Sequence, residues 1–123
     1  MPIIRHADAP HFALPGLTVR GLAAPSRGAS ETCVWRITLA PGTPGLPHVV
    51  TREEVFVATS GVAEVSLDGE ISQLRAGDAL VVPSGVPFAL GNVSTEPFEA
   101  VVALPVGGRA ITGDGAFTPP WAE

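Results

Sequence analysis

The sequence predicts an all-β fold, a sandwich or barrel of short antiparallel strands, and three observations carry that expectation. Apolar and polar residues alternate over stretches of roughly four to eight residues, the period of half-buried strands. Pro-Gly, Ser-Gly and Asp-Gly pairs interrupt these stretches about every ten residues, a spacing typical of sandwiches and barrels. No segment carries the 3.6-residue apolar period of a long helix. The 14 glycines and 13 prolines among 123 residues supply the turns such a fold needs.

The elements follow in order. Residues 1–30 are irregular, broken by Pro2, Pro10, Pro15 and Pro25, with one or two short strands in FALPGLTVRGLAA, of which Leu17–Leu22 is the stronger. SRGASE is a polar loop. Thr32–Leu39 alternates cleanly, with Cys33, Trp35, Ile37 and Leu39 on one face and Val34, Arg36 and Thr38 on the other. Pro41-Gly42 ends that strand, and the proline-stiffened TPGLP loop delivers His48 onto a new one. Glu54–Thr59 is β-rich, Ser60-Gly61 turns, and Val62–Leu67 runs into Asp68-Gly69, a two-residue hairpin signal. Ile71–Leu74 returns, Ala76-Gly77-Asp78 turns again, and Ala79–Val82 is stopped by Pro83. After the Ser84–Pro87 turn, Phe88–Leu90 and Phe98–Leu104 are the last strands expected. The tail GGRAITGDGAFTPPWAE reads as turns, with Phe117 and Trp121 as anchors.

Composition bounds the function. A chain of 123 residues, 46% hydrophobic and 15% charged, suits one folded domain with one core. Apolar runs reach only about seven residues, against the roughly 20 that cross a bilayer. The N-terminus lacks the basic start and long apolar stretch of a signal peptide. One cysteine, Cys33, offers no internal disulfide, so a cytoplasmic setting is expected. A net charge of −5 without a basic cluster argues against nucleic acid or an anionic membrane as partner. All seven basic residues are arginines, and there is no tyrosine. A lysine Schiff base and a tyrosyl acid or base are therefore excluded, leaving proton chemistry to His6, His11, His48, the carboxylates or water.

Two blocks carry the most information. In GTPGLPHVVTREEVFVATSG, Gly42 is followed by five residues, His48, one residue, Val50, three residues, Glu54, six residues and Gly61. In GDALVVPSGVPFALGN, Gly77 is followed by five residues, Pro83, one residue, Gly85, two residues, Phe88, three residues and Asn92. These spacings resemble the two motifs of the cupin superfamily. The resemblance implies a double-stranded β-helix, or jelly-roll barrel, formed by a single domain over residues 1–123. Residues 1–30 would be an N-terminal arm, 42–61 the first motif and 77–92 the second. It also implies that the first motif gives two histidines and a glutamate to a metal and the second a third histidine. Here Val50 and Phe88 stand at two of those four positions. The expectation is that His48 and Glu54 alone hold no metal and that there is no cofactor. Only His6 or His11, swinging in on the N-terminal arm, offers a replacement ligand, because alternation turns Glu53 to the opposite face.

His48 and Glu54 then have two readings: a hydrogen-bonded pair kept for packing, or an acid–base and substrate-anchoring pair in a cavity walled by Val50, Phe56 and Phe88. Trp35 is expected as core or pocket wall, Arg36 as a surface or interface residue, Asn92 as a brace of its turn, and Cys33 as a small apolar filler. The function expected is binding of a small organic ligand without a catalytic metal, with isomerase, epimerase or cyclase chemistry open to His48 and Glu54. The alternatives are a metal-dependent dioxygenase-like or cyclase-like enzyme with a reduced ligand set, and a non-catalytic ligand sensor. A twofold homodimer is expected through the first thirty residues, where Ile3, Ile4, Phe12, Leu14 and Leu17 lie.

Overall fold

A computed structural model describes residues 3–123. The strands follow the alternation of the sequence: β1 (His11–Leu14), β2 (Leu17–Ala23), β3 (Thr32–Leu39), β4 (Val49–Val50), β5 (Glu54–Ser60) and β6 (Val62–Leu67). They continue as β7 (Glu70–Arg75), β8 (Ala79–Val82), β9 (Phe88–Gly91), β10 (Phe98–Pro105), β11 (Ala110–Thr112) and β12 (Gly115–Phe117). In β3 the expected face is the buried one, with Cys33, Trp35, Ile37 and Leu39 inward and Arg36 exposed. The described helices are short 3₁₀ turns, and none is long and apolar enough to cross a membrane.

One antiparallel sheet has the order β1-β2-β3-β10-β5-β8. Two three-stranded sheets, β12-β11-β4 and β7-β6-β9, complete the double-stranded β-helix, and the antiparallel bridge between His48 and Phe88 joins them. Register sets the inner surface. Val102 on β10 stands between Trp35 on β3 and Phe56 on β5, and Phe56 stands opposite Leu80 on β8. This row forms the floor on which the candidate site rests.

Turn chemistry fixes the register. Asp68 and Gly69 adopt φ of 50° and 82°, the left-handed pair that a two-residue hairpin of type I′ requires. Gly61 has φ of 80°, and a Cβ there would run into the Pro97 carbonyl, so the last glycine of the first motif is a packing requirement. Asn92 is fully buried and braces its turn as expected. Its amide nitrogen donates to the carbonyls of Leu39 (3.0 Å) and Glu96 (2.8 Å), and its side-chain oxygen accepts from the Ser94 backbone N–H (3.0 Å) and hydroxyl (2.7 Å).

The tail departs from the expectation of turns alone. Ala110–Thr112 and Gly115–Phe117 form a hairpin, and β11 pairs with β4. Strands of two and three residues are too short for alternation to reveal, and their pairing depends on a long-range partner.

Candidate functional site

A cavity of about 730 Å³ opens over the inner face of the large sheet, within the size range of small-molecule pockets. Trp35, Ile37 and Leu39 from β3, and Glu54 and Phe56 from β5, line one side; His48, Val50, Phe88 and Leu90 line another. The segment from Phe117 to Trp121 adds a wall. Leu14, Leu46 and Phe117 are exposed apolar residues among the lining side chains.

The loop before His48 leans on β9: a Cβ at Gly91 would run into the Gly45 backbone nitrogen, and one at Gly45 would press tightly on Ala89 and the Leu90 backbone. His48 then pairs with Phe88, each backbone N–H donating to the other's carbonyl at 2.9 and 3.0 Å. The two rings are held with centroids 4.3 Å apart, and Phe88 meets Phe56 edge-on at 5.9 Å. The Nδ1–H of His48 donates to the Leu46 carbonyl at 2.9 Å. That bond selects the tautomer and leaves Nε2 as the nitrogen without a described partner.

Glu54, the first residue of β5, is 5% exposed. Its carboxyl group makes no hydrogen bond to any described residue. Burial alone raises its pKa from the ordinary carboxylate value to about 8, so the protonated acid prevails at neutral pH. The His48–Glu54 hydrogen bond considered from the sequence is therefore not made. Each residue faces the same cavity, but His48 is tied to the loop and Glu54 is left on its own.

Val50 and Phe88 are each 2% exposed and present only carbon at the two remaining motif positions. Among the described residues no group of three or more His, Cys, Asp or Glu side chains comes together. One imidazole and one carboxyl do not make the three-ligand set that protein metal centres ordinarily keep, so the donors present do not fit a metal here. His6 lies on the outer surface, with Nδ1 3.1 Å from Arg36, and His11 is exposed opposite Arg20. Neither lines the cavity, and Glu53 is exposed.

Sequence reasoning did not identify the wall made by the C-terminal segment. The Arg27 guanidinium donates to the carbonyls of Leu22 (2.6 Å) and Trp121 (3.1 Å), and the Ser26 hydroxyl donates to the Glu123 carbonyl (2.7 Å). Trp121 thereby packs against Phe12 and Trp35, with ring centroids 5.8 and 6.3 Å away, and its Nε1–H is buried without a hydrogen-bond partner. The stiff Pro119-Pro120-Trp121 run was the available signal, but nothing in sequence linked it to Arg27. Cys33, wholly buried beneath this segment, packs in the core but is more than the apolar filler expected, since its S–H donates to the Ala122 carbonyl at 3.6 Å; burial raises its thiol pKa against the opposing charge of Arg27.

Glu54 makes stability depend on pH. The unfolded chain releases this proton in the ordinary range near 4.5, while the folded chain keeps it to about 8. Between those values the folded state holds the extra proton, so stability falls as pH rises through that window, by an amount on the order of a few kcal/mol. Urea denaturation at pH 5, 7 and 9 should show Glu54→Gln losing less stability than the parent as pH rises. Parallel profiles for the two proteins would contradict the assignment.

Comparison with known proteins bears on this geometry. The family profile described as Cupin domain matches residues 35–104. No curated protein matches the chain significantly. Among solved structures, the polyketide cyclase RemF from Streptomyces resistomycificus superposes with a TM-score of 0.77 at 19% identity, over 85% of this chain and 79% of that one. KdgF from Halomonas sp. gives 0.72 at 21% identity, over 84% and 93%. Salicylate 1,2-dioxygenase from Pseudoaminobacter salicylatoxidans gives 0.65 at 26% identity, covering 76% of this chain but 26% of the larger enzyme. The first two likenesses establish the fold, and with a family profile spanning more than half of its length, the chain belongs to the cupin family.

Proposed function

We propose that this cupin binds a small, mostly apolar organic molecule without a catalytic metal and moves protons on it with His48 and Glu54, as an isomerase, epimerase or cyclase does. The observation that carries this reading is the lining itself: in a cavity otherwise apolar but for Thr43, Thr112 and Thr118, His48 and Glu54 are the only ionisable side chains among the described residues. Glu54 holds its proton at neutral pH and can give it up; Nε2 of His48 has a lone pair to receive one. A ligand lying between them loses a proton to His48 at one atom and gains the Glu54 proton at another. Its composition is unchanged, and no electrons enter or leave. Trp35, Val50, Phe56 and Phe88 act as walls that exclude water and hold the ligand. The likeness to a polyketide cyclase supports an organic ligand for such a cavity.

The reading implies that an apolar chamber replaces a metal cage. Val50→His together with Phe88→His should restore the family's donor set and remove apolar wall. Titration with zinc or nickel should then show about one metal per chain in the double variant and no tight binding in the parent. The neutral dye Nile red should brighten with the parent and much less with the variant. Tight zinc binding by the parent would overturn the proposal. Failure of the variant to bind either metal would show that the four positions do not converge.

For assembly, the same proposal takes a twofold homodimer through the N-terminal segment. Strand β1 is an edge of the large sheet, with unpaired backbone groups on its outer side, and Ile3 and Leu14 are exposed nearby in sequence. The buried, unpaired Cys33 suits a reducing compartment such as the cytoplasm. Light scattering at micromolar concentration should give twice the chain mass; a monomer would contradict the assembly.

A further inference from the structure

We propose that the ligand of this cavity is an uncharged molecule built on aromatic rings, and that the site rejects anions of the same shape. This rests on the cavity being the ligand site and goes on to name the ligand's chemistry. An anion taken out of water needs a cationic side chain, a set of backbone N–H groups or a metal to replace its hydration. Of these the lining offers only His48, an imidazole that becomes cationic only by taking up a proton. The chain has no lysine, and none of its seven arginines lines the cavity. Arg27 is committed to the carbonyls of Leu22 and the lining residue Trp121, and Arg109, next to the lining residue Ala110, to the carbonyl of Ala116. The loops at the cavity contribute Pro15, Pro44, Pro119 and Pro120, which have no N–H to give.

The lining also selects for rings. Five of the chain's seven aromatic side chains, Trp35, Phe56, Phe88, Phe117 and Trp121, face this one cavity. Their faces and edges favour offset or edge-on packing against another aromatic ring beyond what apolar area alone provides. Glu54 completes the selection. As a protonated acid it donates a hydrogen bond to a carbonyl or phenolic oxygen, whereas an ammonium group would first have to displace its proton.

A matched set of probes tests this by displacement of Nile red from the parent protein at pH 7 and fixed ionic strength. The set is 2-acetylnaphthalene, 2-naphthoate, 2-naphthylmethylammonium and the saturated ketone 2-acetyldecalin. The expected result is displacement by 2-acetylnaphthalene at concentrations at least tenfold lower than either ion requires, and at least threefold lower than the saturated ketone requires. Equal or better displacement by naphthoate or the ammonium probe would overturn the uncharged class. Equal displacement by the decalin ketone would overturn the aromatic class, and no displacement by any naphthalene probe would overturn both. In each of these cases, Nile red bound to the parent and lost in the Val50→His, Phe88→His variant keeps the cavity as the ligand site. Failure of Nile red to bind the parent removes that reading as well.

Discussion

His48, immediately before β4, and Phe88, the first residue of β9, face each other and exchange both of their backbone hydrogen bonds. That exchange leaves the side chains little freedom: whatever stands at position 88 lies against the imidazole of His48. A second imidazole there would offer a nitrogen, but the phenyl ring of Phe88 closes the space with carbon and continues onto Phe56. Through Phe56 the contact reaches the row formed with Val102 and Trp35, so the floor and the His48 side of the cavity form one apolar surface. The close approach of Gly45 to Gly91 and the hydrogen bonds of Asn92 support the same junction. They hold the loop that presents His48 and the end of the strand that presents Phe88.

The charge state of Glu54 follows from the same substitutions. Beside a divalent cation a carboxyl group loses its proton readily, because the cation stabilises the anion more than burial penalises it. With Val50 and Phe88 lining the same cavity, and no hydrogen bond from any described residue, burial is the cause of the shift and the proton is retained. Replacing donors by apolar side chains thus changes the chemistry of the residue that was not replaced. Glu54 becomes an acid and hydrogen-bond donor, while the bond from Nδ1 to the Leu46 carbonyl makes Nε2 of His48 the acceptor. In the proposed reaction these two groups of opposite proton character, not bonded to each other, act on separate atoms of one ligand.

Much of the fold was legible because its causes are local. Alternation placed the buried face of β3 residue by residue, and Asp68-Gly69 marked a hairpin whose left-handed conformations few other pairs adopt without strain. The resemblance to the cupin motifs implied that positions 48, 50, 54 and 88 converge, and His48, Val50, Glu54 and Phe88 line one cavity. The failures are long-range. The hairpin Ala110–Thr112/Gly115–Phe117 depends on pairing with a two-residue strand some sixty residues earlier, and the place of Trp121 depends on a guanidinium near the start of the chain. The separation of His48 from Glu54 was also hidden, because spacing shows that two side chains share a cavity but not that a loop carbonyl competes for one of them.

The central claim is that Glu54 is a protonated acid in an apolar chamber, independent of His48. The carboxyl carbon of Glu54 can be followed by NMR in protein labelled with 13C-glutamate between pH 4 and 10, with the signal assigned by its absence in Glu54→Gln. The account expects a single titration step with a midpoint at about 8, unchanged in the variant His48→Ala. A midpoint in the ordinary carboxylate range, or one that moves when His48 is removed, would show a paired or solvated carboxylate and contradict it.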